Sequence, residues 1–328
     1  MEARGLSRSD GPARRPLAGF IQAAVSLVAL AAVVWWATRQ EAPELPRTVE
    51  ALGWLALSLV VYAAATLARA ERWHRIVLRA GMAVTRAETA RLTTVGYMGN
   101  NVLPARSGDL LRSFLLAPLA GTRKREALGT VVAERLLDAL ALALVFVVAV
   151  VVFVRDASVP GGRTALVVAL VAAAVAAALL AALALARRAG ALGRIREALH
   201  PLAAPTRELP SAHGAGLLAL SLAIWALEAS VYLAVARAAG LDLSLAESLY
   251  VVALTNLFAL VPAAPGYVGT FDAAVLFAVG SLGASGSEAL AYLVLLRFVL
   301  FVPITLVGLA FLVARYGGWS RLRVARLD

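Results

Sequence analysis

At 328 residues, 61% of them hydrophobic and 16% charged, with a mean hydropathy of +0.82, the chain is far more apolar than a protein that folds in water. That excludes a cytosolic enzyme, a secreted module and a transcription factor, and it makes anionic lipid headgroups, rather than nucleic acid, the expected partners of a net charge of +11. The absence of cysteine excludes disulfides, thiolate metal sites and S-palmitoylation, and the near-exclusive use of Arg for positive charge, Lys124 being the only Lys, suggests a GC-rich bacterial genome.

The first apolar run, 17–37, follows Arg14 and Arg15 as a signal peptide would. Its 21 residues, its Trp35-Trp36 end and its lack of a small-x-small cleavage pattern make it a retained helix. Runs at 49–69, 128–154, 164–186, 214–236 and 288–314 are each long enough to cross a bilayer, giving six spans. Stretches 87–119 and 245–283 are apolar but broken centrally by polar residues, Gly and Pro, so each predicts two half-length helices in a re-entrant hairpin. Segment 190–202 carries Leu192, Ile195 and Leu199 on one face and reads as an interfacial amphipathic helix or a solvated loop.

Positive charge sets the orientation, because cytoplasmic connections carry the Arg and Lys excess. Twenty-four of the thirty-one lie in the N-tail, 69–91, 106–125, 187–207 and the C-tail, against five in the other connections. This places both termini in the cytoplasm of a multi-pass inner or plasma membrane protein, provided 87–119 enters and leaves on the cytoplasmic side and 245–283 on the outer side.

The order span, span, hairpin, span then occurs in 17–154 and again, oppositely oriented, in 164–314, the signature of an inverted repeat within one membrane domain, 1–328. Spacings agree: Pro104 to Arg135 is 31 residues and Pro265 to Arg297 is 32, while Asp109 to Arg135 is 26 and Asp272 to Arg297 is 25. Asn100 to Pro104 and Asn256 to Pro265 differ, at 4 and 9. The fold class is thus all-α, with six transmembrane helices plus two re-entrant helical hairpins.

Non-helical backbone at membrane depth must be buried or line a cavity, which singles out 99–109 and 262–272. The second half-helix of each hairpin starts at the tip and points its free N–H groups and positive dipole end inward, an arrangement suited to an anion. Asp109 and Asp272 near those starts fit either helix caps or site residues. Glu134, Arg135 and Asp138 share one face of the span 128–154, and Arg297 lies at a similar depth from the opposite end of its span. Charges at that depth must be paired; Arg135 and Arg297 fit a phosphate-binding role or a structural clamp, and Glu228 fits a partner for either Arg or a proton carrier. No phosphate loop, HExxH or GxSxG occurs, and His74, His200 and His213 are far apart in the sequence, so no enzyme activity, metal or cofactor is expected.

The segments Gly99-Asn-Asn-Val-Leu-Pro-Ala-Arg-Ser-Gly-Asp-Leu-Leu-Arg112, Glu134-Arg-Leu-Leu-Asp138 and Pro262-Ala-Ala-Pro-Gly-Tyr-Val-Gly-Thr-Phe-Asp272 resemble the lysylphosphatidylglycerol synthase transmembrane-region family of flippase-like proteins, over about 17–314. The resemblance implies an integral membrane protein that moves lipids with polar or aminoacylated heads between leaflets. It carries over to Asn100, Pro104, Arg106, Gly108, Asp109, Arg112, Glu134, Arg135, Asp138, Pro265, Gly266 and Gly269; Asp272 departs from it, a Glu being expected there. The fused members' soluble aminoacyl-transferase domain is absent from this sequence, so lipid aminoacylation is not expected. The reading is a flippase for a phosphate-headed or polar lipid, with phospholipid or another anionic lipid as partner and the oligomeric state, homo-oligomer included, left open. The alternative is a membrane-embedded lipid-modifying enzyme, or an accessory subunit for a lipid-linked glycosyltransferase.

Overall fold

The computed structural model describes residues 27–43, 47–103, 107–155, 211–258 and 264–317. Residues 17–26 of the first predicted span, the span 164–186, the segment 190–202, and Pro104 and Arg106 lie outside them. Among the described residues there is no strand. The helices are α1 (Leu27–Ala37), α2 (Val49–Arg79), α3 (Arg86–Val102), α4 (Gly108–Leu119), α5 (Lys124–Arg155), α6 (Ala212–Ala238), α7 (Leu245–Phe258), α8 (Thr270–Ser281) and α9 (Gly286–Tyr316), with a 3₁₀ turn at Pro265–Tyr267 before α8. Helix starts follow capping chemistry: the hydroxyls of Thr48, Thr85, Ser211 and Ser285 accept N–H bonds from Ala51, Glu88, Gly214 and Glu288, and Glu288 returns the favour to the Ser285 N–H.

Helices α2, α6 and α9 are long and apolar enough to cross a membrane. On α9 the large side chains Val294, Phe298, Val302, Leu306, Leu309 and Val313 recur three or four residues apart and are exposed, while Tyr292, Leu296, Val299 and Leu312 are buried. An apolar stripe facing outward over a helix whose other face is also apolar suits lipid and would be a liability in water.

The packing has an internal order. If α2, α3, α4 and α5 are exchanged with α6, α7, α8 and α9, the substantial helix contacts map onto one another. Helix α2 packs on α6; α2 on α3 as α6 on α7; α3 on α4 as α7 on α8; α4 on α5 as α8 on α9; and α3 crosses to α9 as α7 crosses to α5. The first limb of each hairpin therefore rests on the last helix of the other half.

In the first hairpin α3 and α4 run antiparallel, with Gly99 against Gly108 near the tip and Gly96 beside the Arg112 side chain further down. Small residues let the two backbones approach closely, as in membrane helix pairs generally. Helix α3 also runs antiparallel to α9: the Asn101 amide donates to the Thr305 hydroxyl at 2.9 Å, Gly308 meets Met98, and the Tyr316 hydroxyl donates to Glu88 at 2.5 Å. The tips of the two hairpins meet, a Cβ added at Gly266 lying 3.4 Å from the Asn101 carbonyl oxygen.

A Cβ at Gly108 would stand 1.9 Å from the Gly96 carbonyl oxygen and 2.4 Å from the Asn100 nitrogen, whereas one at Gly53 meets nothing within 4 Å. Gly108→Ala is therefore expected to destabilise by at least the ~1–3 kcal/mol of an overpacked core, and Gly53→Ala to be neutral or to stabilise by up to ~1 kcal/mol. Thermal unfolding of the two purified variants checks this; equal Tm values would remove close packing as the reason for glycine at 108.

Candidate functional site

Helix α4 begins inside the bundle, and its second residue, Asp109, is the focus of a ring of charge. The Asp109 carboxylate is gripped by both sides of the Arg135 fork, Nε to Oδ2 and Nη2 to Oδ1, each at 3.0 Å, and Oδ1 also lies 3.0 Å from Arg112 Nη2. Arg112 Nη2 continues to Glu134 Oε2 at 2.8 Å, Glu134 Oε1 to Arg72 Nη2 at 3.1 Å, and Arg72 Nη1 to Asp138 Oδ1 at 2.7 Å. Asp138 Oδ2 closes the circuit on Arg135 Nη1 at 3.1 Å. Three guanidiniums and three carboxylates alternate, contributed by α2, α4 and α5, and their formal charges cancel.

The helices dictate this ring. Glu134, Arg135 and Asp138 sit within little more than one turn of α5, and Asp109 and Arg112 are one turn apart on α4, so each helix presents its charges on one side. Arg72 reaches across from α2, where it is also hydrogen-bonded to the Ser221 hydroxyl of α6 at 2.7 Å, and Arg112 stacks over the Trp73 ring at 4.7 Å. Accessibility is graded around the ring: the Arg72 and Glu134 side chains are fully buried, whereas those of Asp109 and Arg135 keep 18% and 33% exposure. Arg135 and Asp109 form its accessible edge.

The second half keeps one part of this arrangement. Arg297 pairs with Asp272, which also accepts the Gly269 N–H at 2.8 Å and so caps α8. The same guanidinium donates to the carbonyls of Gly266 at 3.2 Å and Tyr267 at 3.5 Å and lies beside the rings of Phe271 and Phe301. Gly266 and Tyr267 both have positive φ, 66° and 54°, a conformation with a cost for Tyr that this clamp holds in place. At the sequence offsets from Asp272 and Arg297 at which Arg112, Glu134 and Asp138 stand from Asp109 and Arg135 are Val275, Leu296 and Leu300, all buried. Among the described residues such a ring forms in the first half alone.

Of the residues singled out from the sequence, Asp109, Arg112, Glu134, Arg135 and Asp138 come together in the ring, with Asn100 and Gly108 buried beside it. Asp272, Arg297, Gly266 and Gly269 come together at the second tip, and exposed Pro265 opens its 3₁₀ turn. Asn256 donates its amide to the Val252 carbonyl of its own helix at 2.9 Å. Glu228, which fits in sequence a partner for Arg135 or Arg297 or a proton carrier, pairs instead with Arg69 of α2 at 2.8 Å, because α2 and α6 pack directly and bring these two side chains together. Arg69 and Arg72 had been counted with the cytoplasmic loop charges, and Arg112 likewise, but all three are buried in helices. A hydropathy run ends at its first charge, at 69, while the helix continues to Arg79 because the charges are paired inside it. The one signal in the sequence was the spacing of Arg69 and Arg72, which keeps both on the buried side of α2 with Thr66 and Trp73. Among the described residues no group of three His, Cys, Asp or Glu side chains is placed to hold a metal.

The family model described as Lysylphosphatidylglycerol synthase TM region matches residues 21–308. It is a membrane domain linked to lipid-related functions, and the apolar helices fit that description. No curated protein matches the chain.

Taking away one partner of a fully buried ion pair costs about 3–5 kcal/mol, against about 0–1 kcal/mol for an exposed pair. Arg72→Gln is accordingly expected to lower the Tm of the purified protein sharply or abolish its folded yield in the membrane, and Arg75→Gln, whose partner Glu71 is at the surface, to leave both nearly unchanged. Indistinguishable behaviour of the two variants would show that the ring does not hold α2, α4 and α5 together.

Proposed function

Since the chain belongs to the lysylphosphatidylglycerol synthase transmembrane-region family, we propose that it is a lipid flippase, moving a phosphate-headed or polar lipid between the leaflets of a bacterial plasma membrane. In this reading the two halves are inverted repeats, 87–119 and 245–283 are re-entrant hairpins entering from the cytoplasm and from outside, and both termini are cytoplasmic. The observation that carries it is the recurrence of one unit in both halves: a second limb that begins inside the bundle, an Asp at its start, and an Arg from the following helix holding that Asp. The exchange-related contacts and the meeting of Gly266 with Asn101 support two equivalent broken hairpins facing one another across the bundle. Transporters built in this way hold their cargo where half-helix ends converge.

A headgroup phosphate approaching the first hairpin meets Arg135, the most accessible cation of the ring, and the N-terminal end of α4. Arg suits the task because its planar fork holds phosphate oxygens bidentately and keeps its proton. The same geometry that makes Arg135 a clamp for Asp109 makes phosphate a competitor for it, so clamp and binding site are two occupancies of one guanidinium. Arg297 serves the opposite face in the same manner, releasing Asp272 and the tip carbonyls when phosphate takes their place. Acyl chains remain in lipid throughout.

Two measurements test this. In single-cysteine labelling of intact cells, Arg123→Cys, exposed just after α4, is expected to react only after the membrane is made permeable; labelling from outside would overturn the orientation. Leaflet-resolved transport by the purified protein in vesicles of several headgroup classes should fall about tenfold in Arg135→Gln and in Arg297→Gln, equivalent to about 1.4 kcal/mol, with folded protein recovered. Folded variants with unchanged transport of every lipid tested would end the role of these arginines in lipid movement.

A further inference from the structure

The formal charge of the ring is zero, its three guanidiniums being matched by the carboxylates of Asp109, Glu134 and Asp138, and the adjacent Arg69–Glu228 pair is neutral as well. A headgroup phosphate that displaces Asp109 from Arg135 adds one negative charge to this buried, balanced system and takes from Asp109 its bidentate partner. Burying an excess charge and breaking a buried pair are both strongly unfavourable. We propose, on the reading of the protein as a flippase of phosphate-headed lipids, that one proton enters with each anionic headgroup and resides on Asp109, so that lipid movement is an electroneutral lipid–proton symport.

Asp109 is the carboxylate for which this holds. Glu134 is fully buried between Arg72 and Arg112, neither of which the phosphate reaches first. Asp138 keeps Arg72 at 2.7 Å when Arg135 turns away. Asp109 alone loses a two-pronged contact, and it has the most exposed carboxylate of the ring, at 18%. The ionisable groups around it are Arg112 on its own helix, Glu134, Arg135 and Asp138 from α5, Arg72 of α2 behind Glu134, and the Tyr97 phenol of α3 facing Arg135. Beside these lie buried polar atoms without a hydrogen-bond partner, of both kinds: the Nε donors of Arg72 and Arg112 and the Oδ1 acceptor of Asn100. Buried donors and acceptors left open suit water, which both gives and takes hydrogen bonds and conducts a proton.

The cycle balances in charge and in protons. A water-borne proton on the side the site faces binds the Asp109 carboxylate as the phosphate takes its place on Arg135. When the lipid leaves on the other side, Asp109 releases the proton there and re-forms its pair with Arg135.

The test uses the full-length protein in phosphatidylcholine vesicles doped with tail-labelled phosphatidylglycerol, whose headgroup carries a single phosphate, with the label in each leaflet read by membrane-impermeant quenching. Protein-free vesicles serve as the control. A one-unit pH gradient is expected to concentrate the labelled lipid about tenfold in the leaflet facing the alkaline side, to reverse when the gradient is reversed, and to do so unaltered by a potassium diffusion potential of either sign. Proton uptake reported by an entrapped pH dye should accompany it. In Asp109→Asn the ratio of lipid asymmetry with and without the gradient should fall to one, whatever the change in overall rate; the wild-type measurements decide the matter even if this variant does not fold. Lipid that equilibrates regardless of the pH gradient, lipid driven by the potential as an uncompensated anion, or a sodium gradient that substitutes for the proton gradient would each overturn the coupling while leaving lipid movement intact. Absence of any movement in any condition would overturn the flippase reading itself and the coupling with it.

Discussion

An arginine reaching back from one helix to the aspartate that opens the preceding half-helix is the contact around which this architecture is arranged. A helix that begins inside an apolar bundle presents unpaired N–H groups where no bulk water can satisfy them. In the second half the answer is direct: Asp272 accepts the Gly269 N–H, and Arg297 neutralises Asp272 while taking up the Gly266 and Tyr267 carbonyls that the broken backbone leaves over. In the first half the same pair, Asp109 with Arg135, is extended by Arg112, Glu134, Arg72 and Asp138 until every charge has two neighbours of opposite sign. Remove the arginine in either half and the aspartate loses the cation that the following helix supplies.

This arrangement also marks a difference between two halves whose helices pack in matching order. Val275, Leu296 and Leu300 put apolar volume where the first half has Arg112, Glu134 and Asp138, and a buried ion-pair network is often no more stabilising than well-packed hydrocarbon of similar size. The ring therefore has no purely structural justification that its apolar counterpart fails to meet. In the proposed function its value lies in being exchangeable: the partially exposed Arg135–Asp109 edge would trade one anion for another, while the fully buried Arg72–Glu134 side fixes the helices about it.

Helices were largely legible in the sequence because apolar run length is set by the thickness of the bilayer; the runs 128–154, 214–236 and 288–314 fall within α5, α6 and α9 respectively, which extend one to four residues beyond them at each end. The hairpin breaks were legible from Pro and Gly, and the matched Asp-to-Arg spacings marked the two pairs as equivalent. Spacing could not say that the partners touch, since 26 and 25 residues of chain include a helix, a turn and part of another helix, whose packing only the fold determines. Arg69 and Arg72 were lost for a different reason. Charge at the end of an apolar run is ordinarily a membrane boundary, and only partners supplied by α5 and α6, distant in sequence, convert it into interior structure. The partner of Glu228 was missed for the same reason.

The most direct test of the account is a double-mutant cycle on Asp109 and Arg135, with the unfolding free energies of Asp109→Asn, Arg135→Gln and the double variant measured in the same detergent. Each single change leaves the ring with a net charge that the second change cancels. The account requires the double variant to be less destabilised than the sum of the singles, with a coupling in the range of about 0.5–3 kcal/mol found for residues in one network. Additive effects would mean that the two side chains do not sense each other, and the ring with its exchangeable edge would have to be abandoned.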